Sequence, residues 1–378
     1  MDSNLKPDAM QSGRAMPREY YFSPEIFERE MQRIVHRQWL LVGHVSSIQA
    51  PGDYFVKQVG PESLIVTRDR DGKPRAFFNM CRHRGYRLLD ADARGCTQGF
   101  VCPYHRWSYD NRGKLVRVPG TTDGRDFAFA DWSLEEAEID VWHGFLYARL
   151  GREGGPSLAE TLAPMTDSPR IERFAPERLK LAHRETYVID ANWKAMMEND
   201  LECYHCGHGG HPSLAVACDF RSFFADHAAE RAARGEEGHF PLRGGMKTFS
   251  MDGERVCTLP LGEARDGDSA GFLLWPLFNG PVFFVDHAVS LELTPLSVGQ
   301  SHFVCEWYVH EDAVEGVDYD RQRLVEVFHV TNTEDKAFGE RNYAGMRSSR
   351  FSPGPLHPRR EDGVIAGYEA YRAMMAED

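Results

Sequence analysis

The 378-residue chain has no apolar stretch near the roughly 20 residues that a membrane-spanning helix needs. Its most apolar run, residues 271–285, is broken by Pro276, Asn279, Gly280 and Pro281, so no membrane span is expected. Basic charge is not in excess either. The 57 acidic residues against 44 basic ones give a formal net charge of -13, which argues against nucleic acid or an anionic bilayer as the main partner and is compatible with a cationic substrate. Residues 1–20 carry Asp2, Lys6, Asp8, Arg14 and Arg18 and contain no apolar leader core, so no secretory signal is read and a cytoplasmic location is expected. The eight cysteines lack the even spacing of a small disulfide-stapled domain. Clustered with histidines, they point to metal instead. No internal repeat is found.

What is present is the composition of an ordinary enzyme, 42% apolar, 12% aromatic and 27% charged, in a chain long enough for two to three domains. Residues 24–39 repeat apolar side chains (Ile26, Phe27, Met31, Ile34, Val35) at helical spacing behind Ser23 as N-cap and Pro24 at the first helical position. From 40 to about 150 the pattern turns to short β-rich runs, at 54–59, 63–67, 76–78, 99–101 and 144–149, punctuated by Pro-Gly, Asp-Gly and Arg-Gly. A small antiparallel β domain is expected there. Residues 151–156 (GREGGP) read as a linker. Beyond it the sequence predicts a strand over 187–193 running into a helix over 194–204 that glycines end. A polar, Gly-rich solvated loop or surface helix is expected over 228–267, long strands over 272–296 and 302–310, and a covering helix over 319–343. The expected domains are an N-terminal helical segment packing on the catalytic domain (1–39), the β domain (40–150) and a catalytic domain (151–378).

Two clusters carry chemistry. Cys81-Arg82-His83 and Cys102-Pro103-Tyr104-His105 offer two thiols and two imidazoles from two loops that each follow a β-rich run. A zinc finger typically draws both cysteines from one loop and both histidines from a helix, whereas here each loop gives one of each kind. That alternation favours a 2Fe-2S centre with both cysteines on one iron and both histidines on the other. The sequence CRHRG followed by CPYHRWSYDNRGKL resembles the Rieske centre of the Rieske non-haem iron oxygenases. An insertion is read at 91–96, and Cys96, without a histidine partner, is taken as structural.

The second cluster runs from Glu198 to Pro212. Glu202 and His205 stand at i and i+3, and His205 with either His208 or His211 gives two imidazoles. Two histidines and one carboxylate leave open positions on a non-haem Fe(II) for O2, and the carboxylate must come from elsewhere in the chain. The segment resembles the mononuclear-iron motif of the same family, in which the second His often precedes Pro, and this favours His211. The resemblance places the third ligand in a helix near the C-terminus, where EDKAFGERNYAGMRSSRFSPGPL supplies Asp335. On a helical wheel Asp335 lies nearer the apolar face of Leu324, Val327, Phe328 and Phe338 than Glu334 does.

The resemblance also implies that Glu202 links the mononuclear site to a Rieske histidine, His105, of a neighbouring subunit in a homotrimer. Family members usually have Asp here. Glu is the choice of those resembling glycine betaine, carnitine and stachydrine demethylases or monooxygenases, a likeness strengthened by ECYHC, SMDG at 250–253, Leu259-Pro260-Leu261-Gly262 and LVGHVSSIQAPGDYF. The fold so implied is α+β, a Rieske β domain followed by a catalytic domain whose antiparallel sheet wraps a long helix in a helix-grip-like way. The activity implied is hydroxylation of an N-methyl group of a quaternary ammonium or N-methylated compound, with formaldehyde release. Electrons would come from NAD(P)H through a separate flavin or iron-sulfur reductase. The rivals are an aromatic ring-hydroxylating dioxygenase α subunit, a non-catalytic Rieske electron carrier and a zinc-binding structural protein. A methylated cation is best held over ring faces. Phe220, Phe223, Phe224, Trp275, Phe278, Phe284 and Trp307 read as core, so none is assigned to such a cage.

Overall fold

Ser23 starts the first long helix as its sequence demands. Helices α1 (Glu19–Phe22) and α2 (Pro24–Arg33) meet at this residue, whose hydroxyl accepts from the Ile26 amide at 3.2 Å while Pro24 fills a position that needs no amide donor. The helix expected to reach residue 39 ends at Arg33, capped by Ile34, whose amide still donates to the Glu30 carbonyl, and a single 3-10 turn, Val35–Arg37, leads into the first strand. The computed structural model describes residues 13–151, 154–166, 169–202, 204–220 and 242–376. The side chain of His208 and residues 221–241, which hold Phe223, Phe224 and part of the expected polar loop, lie outside the described residues.

The chain divides into two compact units, one comprising residues 35–164 and the other 1–34 with 165–378. The first is built of β1 (Leu40–His44), β2 (Asp53–Val59), β3 (Glu62–Arg68), β4 (Pro74–Phe78), β5 (Arg94–Cys96), β6 (Gly99–Val101), β7 (Ser108–Asp110), β8 (Leu115–Arg117), β9 (Glu136–Trp142) and β10 (Phe145–Arg149). Seven form an antiparallel sheet in the order β1-β10-β9-β4-β3-β2-β5, and β6-β7-β8 form a second. The segment read as an insertion becomes the edge strand β5, paired with β2 through Asp53↔Cys96 and Phe55↔Arg94. Gly95 eases this, since a Cβ there would stand 3.3 Å from the Tyr54 hydroxyl and 3.4 Å from its ring. Val56, Ile65, Phe77, Phe100, Tyr109 and Leu115 fill the core between the sheets, and Cys81 and Cys102 are part of it.

After α3 (Leu158–Thr166) and α4 (Pro169–Glu172), the other unit continues with β11 (Leu179–Ile189), α5 (Trp193–Asp200), a wide π-type turn at Cys206–Gly210 and α6 (Leu214–Ala217). Then come β12 (Ser269–Gly271), β13 (Gly280–Phe284), β14 (Ala288–Ser297), β15 (Gln300–His310), α7 (Arg321–Met346) and α8 (Asp362–Ala376). The strands form one antiparallel sheet, β11-β15-β14-β13-β12, with α7 packed against β11 and α5. The long strand expected over 272–296 is instead a hairpin. Its turn is closed by Phe284 N–H on the His287 carbonyl at 2.8 Å, and the buried Asp286 carboxylate accepts from the Thr248 hydroxyl and the Val256 and Cys257 amides. The helix expected over 194–204 stops at Asp200, capped by Leu201.

A buried knot fixes α5. Glu30 of α2 accepts from Lys194 Nζ at 2.7 Å, Trp193 Nε1 at 2.9 Å and the Tyr371 hydroxyl of α8 at 2.5 Å, and both Glu30 and Lys194 are fully buried. Every donor and acceptor is needed there, because a buried charge that loses its partner costs about 3–5 kcal/mol. Among the described residues, no helix is long and apolar enough to cross a membrane.

Candidate metal centres

The loops bearing Cys81 and Cys102 are built alike. Each cysteine amide donates across its loop, Cys81 to the Tyr86 carbonyl at 2.8 Å and Cys102 to the Trp107 carbonyl at 2.9 Å. Each cysteine carbonyl accepts from the residue four on, Gly85 in one loop and Arg106 in the other, both at 3.0 Å. Gly85 and Arg106 both take left-handed backbone geometry, at φ 73° and 62°, so the two loops turn identically although only one uses glycine.

The turns send the thiols inward and the imidazoles outward. Cys81 and Cys102 are buried, and the Tyr109 hydroxyl lies 3.3 Å from Cys81 Sγ. The His83 and His105 rings meet at 4.6 Å near the surface, with His83 stacked on Trp107 at 4.9 Å. Burial and the neighbouring Cys102 push the Cys81 thiol up, against the Tyr109 hydroxyl. Two adjacent thiolates in a dry pocket need a cationic centre between them, so the donor set fits a cluster. Desolvation, the Arg84 guanidinium and His83 hold His105 below its ordinary value, in the neutral form that binds metal. Arg84 Nη2 approaches His105 Nε2 at 2.9 Å, which leaves Nδ1 as the nitrogen free for metal.

The second centre is drawn together by close passages of the chain. After α5, Glu202 caps the next turn, its Oε2 accepting from the amides of Tyr204 and His205 and its Oε1 meeting His205 Nδ1 at 2.5 Å. Gly209 adopts φ 98°, and Gly210 lies so near His205 that a Cβ would sit 2.8 Å from its carbonyl oxygen. The glycines therefore do not merely end a helix. They let the chain pass His205 and bring the two Nε2 atoms of His205 and His211 to 3.1 Å. From α7, Asp335 Oδ1 lies 2.9 Å from His211 Nε2 and 3.5 Å from His205 Nε2.

The charges suit a cation. Burial opposes ionisation of Asp335, yet His205, His211 and Asn199 outweigh it and hold the carboxyl at about 2. Burial likewise opposes charge on His205, and Asp335, Cys206 and Glu202 overcome it to lift the imidazole to about 12. His211 rises to about 10 against burial through Asp335, Cys206 and Glu334. A carboxylate that stays ionised beside two imidazoles is a ready set of donors to a divalent cation once the imidazole protons leave. Three protein donors leave open positions, as O2 chemistry on non-haem iron requires.

Sequence reasoning missed the supports. Glu334, set aside in favour of Asp335, accepts from His211 Nδ1 at 2.8 Å and from Ser213 at 3.2 Å, so it fixes the ring that Asp335 meets on its other nitrogen. Asn199 Nδ2 donates to Asp335 Oδ1 at 2.6 Å. Phe338 sets its ring against both imidazoles, at 5.9 and 5.7 Å. Cys206 Sγ stands 3.5 Å from His205 Nε2, and the donor atoms of His205, Cys206 and His211 lie within 4.8 Å of one another. The only hint of these roles in the sequence is adjacency to the motif residues. A cavity of about 390 Å³ adjoins this centre, with Glu198, Glu202, His205, Phe338 and Tyr368 in its wall.

Residues 38–130 match the family model described as Rieske [2Fe-2S] domain, and residues 176–377 match that of the ring hydroxylating alpha subunit (catalytic domain). The chain is 31% identical, over 96% of its length and 89% of the relative's, to the glycine betaine monooxygenase oxygenase subunit of Pseudomonas aeruginosa. It is 35% identical to the large oxygenase component of the naphthalene 1,2-dioxygenase system of Pseudomonas putida, over 61% of this chain and 52% of that one. Among solved structures, the quaternary ammonium Rieske monooxygenase CntA in complex with L-carnitine superposes with a TM-score of 0.74 at 21% identity, covering 98% of this chain and 97% of that one, which shows the shared fold.

Proposed function

The chain belongs to the ring-hydroxylating alpha subunits of the Rieske oxygenases, and from this premise we propose that it oxidises an N-methyl group of a quaternary ammonium or N-methylated compound. It is an oxidoreductase, the oxygenase component of a system in which a separate reductase supplies electrons. The observation that carries the substrate reading is the near-full-length similarity to a glycine betaine monooxygenase subunit. The likeness to the naphthalene dioxygenase component, slightly higher in identity, spans only about half of that relative.

In this reading Cys81, His83, Cys102 and His105 hold the 2Fe-2S cluster, and His205, His211 and Asp335 hold Fe(II). When bound, the cluster supplies single electrons and the ferrous ion supplies O2 binding and activation. The protein's residues do the rest. Glu334 and Asn199 keep one imidazole and the carboxylate in register, and the Phe338 ring packs against both imidazoles. Glu202, with one oxygen on His205 Nδ1, is the link toward His105 of a neighbouring copy in a homotrimer, and a flavin or iron-sulfur reductase spends NAD(P)H upstream. Hydroxylation of an N-methyl carbon gives a hemiaminal that loses formaldehyde unaided.

Glu202→Gln should therefore keep both metal centres, read by iron content and visible spectrum, yet stop turnover; near-normal activity would remove the link. Trimethylated and dimethylated amines are to be screened for O2 uptake matched by formaldehyde. A cis-dihydrodiol from an aromatic substrate, without formaldehyde from any amine, would move the enzyme to the ring-dioxygenase reading.

A further inference from the structure

Glu198 is half-buried in the wall of the cavity beside His205, and three separate parts of the fold converge on it. The Tyr21 hydroxyl of α1 and the Tyr368 hydroxyl of α8, the latter at 2.8 Å, both donate to Glu198 Oε1. Lys194, one turn earlier on α5, and Glu361, just before α8, are the charged groups that also act on it. The other ionisable groups in the cavity wall are committed. Glu202 is held by two amides and His205 Nδ1, Glu361 Oε2 accepts from the His357 amide at 2.6 Å, and His205 is a proposed ligand.

Monooxygenation breaks one C–H bond and inserts one oxygen atom, and the second oxygen leaves as water. Each turnover thus consumes one O2, two electrons from the reductase and two protons. We propose that Glu198 relays these protons into the cavity it shares with Glu202 and His205, with Tyr21 and Tyr368 as its pivoting hydroxyl partners. When the carboxylate is charged both hydroxyls donate to it. When it is protonated one hydroxyl turns and accepts, so a proton moves on without displacement of the side chain. Burial, working against the two tyrosines and Lys194, brings Glu198 to about 7, where it binds and releases protons with equal ease. The inference rests on the family's O2 chemistry and not on the identity of the amine.

The test uses the full-length enzyme with its reductase, alongside Glu198→Gln, Glu198→Asp and Tyr368→Phe. The wild-type rate should fall as pH rises through about 7. Glu198→Gln should lower kcat roughly a hundredfold and abolish that limb with KM little changed. Glu198→Asp should restore part of the rate, and Tyr368→Phe should move the limb. In the resting protein, without substrate or reductase, a protonated-carboxyl infrared band should disappear between pH 6 and 8 and be missing from Glu198→Gln. An unchanged pH profile in Glu198→Gln, or no such band in the wild type, overturns the relay. A uniform loss at every pH that Glu198→Asp does not rescue assigns Glu198 to structure alone. If no amine yields formaldehyde, the substrate reading fails while the infrared titration still decides the relay.

Discussion

Asp335 shows how one side chain comes to define a site. It is half-buried, which disfavours its charge, and yet it stays ionised because two imidazoles and the Asn199 amide point at it. Remove the carboxylate and the two Nε2 atoms, 3.1 Å apart, face each other with no anion between them. Asp335→Ala should therefore strip the mononuclear iron, leaving about two irons per chain and an unaltered Rieske spectrum. Cys206→Ala should keep the third iron, since Asp335 supplies the charged donor of the set; the Cys206 thiol stands within 4.8 Å of both imidazole donors, and metal analysis that reversed the two results would make it the ligand. Glu334→Ala should weaken iron binding by roughly 10–100-fold, measured by chelator competition, because the His211 ring loses the acceptor on Nδ1. Placing Asp335 inward was legible from the helical wheel. The function of Glu334 was not, because the wheel turns it away from the apolar face and only the path of the chain after Gly209 brings His211 to it.

At the scale of elements, the site depends on how closely α7 approaches α5. Gly339 is the point of contact, where an added Cβ would stand 2.2 Å from Met196 Sδ, a buried atom in the middle of its side chain. Gly339 follows Asp335 by about one helical turn. Gly339→Ala should push α7 outward and lower both iron occupancy and kcat. Pairing it with Met196→Ala, which removes the obstructing sulfur, should restore iron content even if stability falls by about 2–5 kcal/mol from the lost core side chain. Occupancy that stays full in Gly339→Ala would show that the contact is slack. Helical and strand periods made α2, α7 and five of the first unit's strands (β2, β3, β4, β6 and β10) readable, since each depends on local pattern, while β1, β5, β7, β8 and β9 were not read. The hairpin at 285–287 was hidden inside one apolar run, and its turn is fixed by Thr248 and the amides of Val256 and Cys257, distant segments that no window covers. The π-type turn was likewise masked, because glycines after a histidine signal a helix end more often than a widened turn.

Over the whole molecule, a charge effect unreadable in the sequence is at Glu198, whose hydroxyl partners lie 177 residues upstream and 170 residues downstream. Its folded value of about 7 stands above the ordinary 4.5, so the folded chain holds a proton that the unfolded chain has released. Stability from this group is full below about 4.5 and is lost as pH rises to about 7, for a total of roughly 3 kcal/mol. Asp335 acts with the opposite sign in a lower window, its contribution fading only as pH falls toward 2. The His205 and His211 imidazoles also favour the folded state at low pH when metal is absent, which makes a single stability curve ambiguous. The difference between wild type and Glu198→Gln cancels their share. Urea unfolding of both proteins at pH 5 and pH 8 should show the wild type losing more stability than the variant across that interval, by about 2–3 kcal/mol. Parallel curves would place the Glu198 carboxyl near its ordinary value and leave the buried tyrosines without a proton to share.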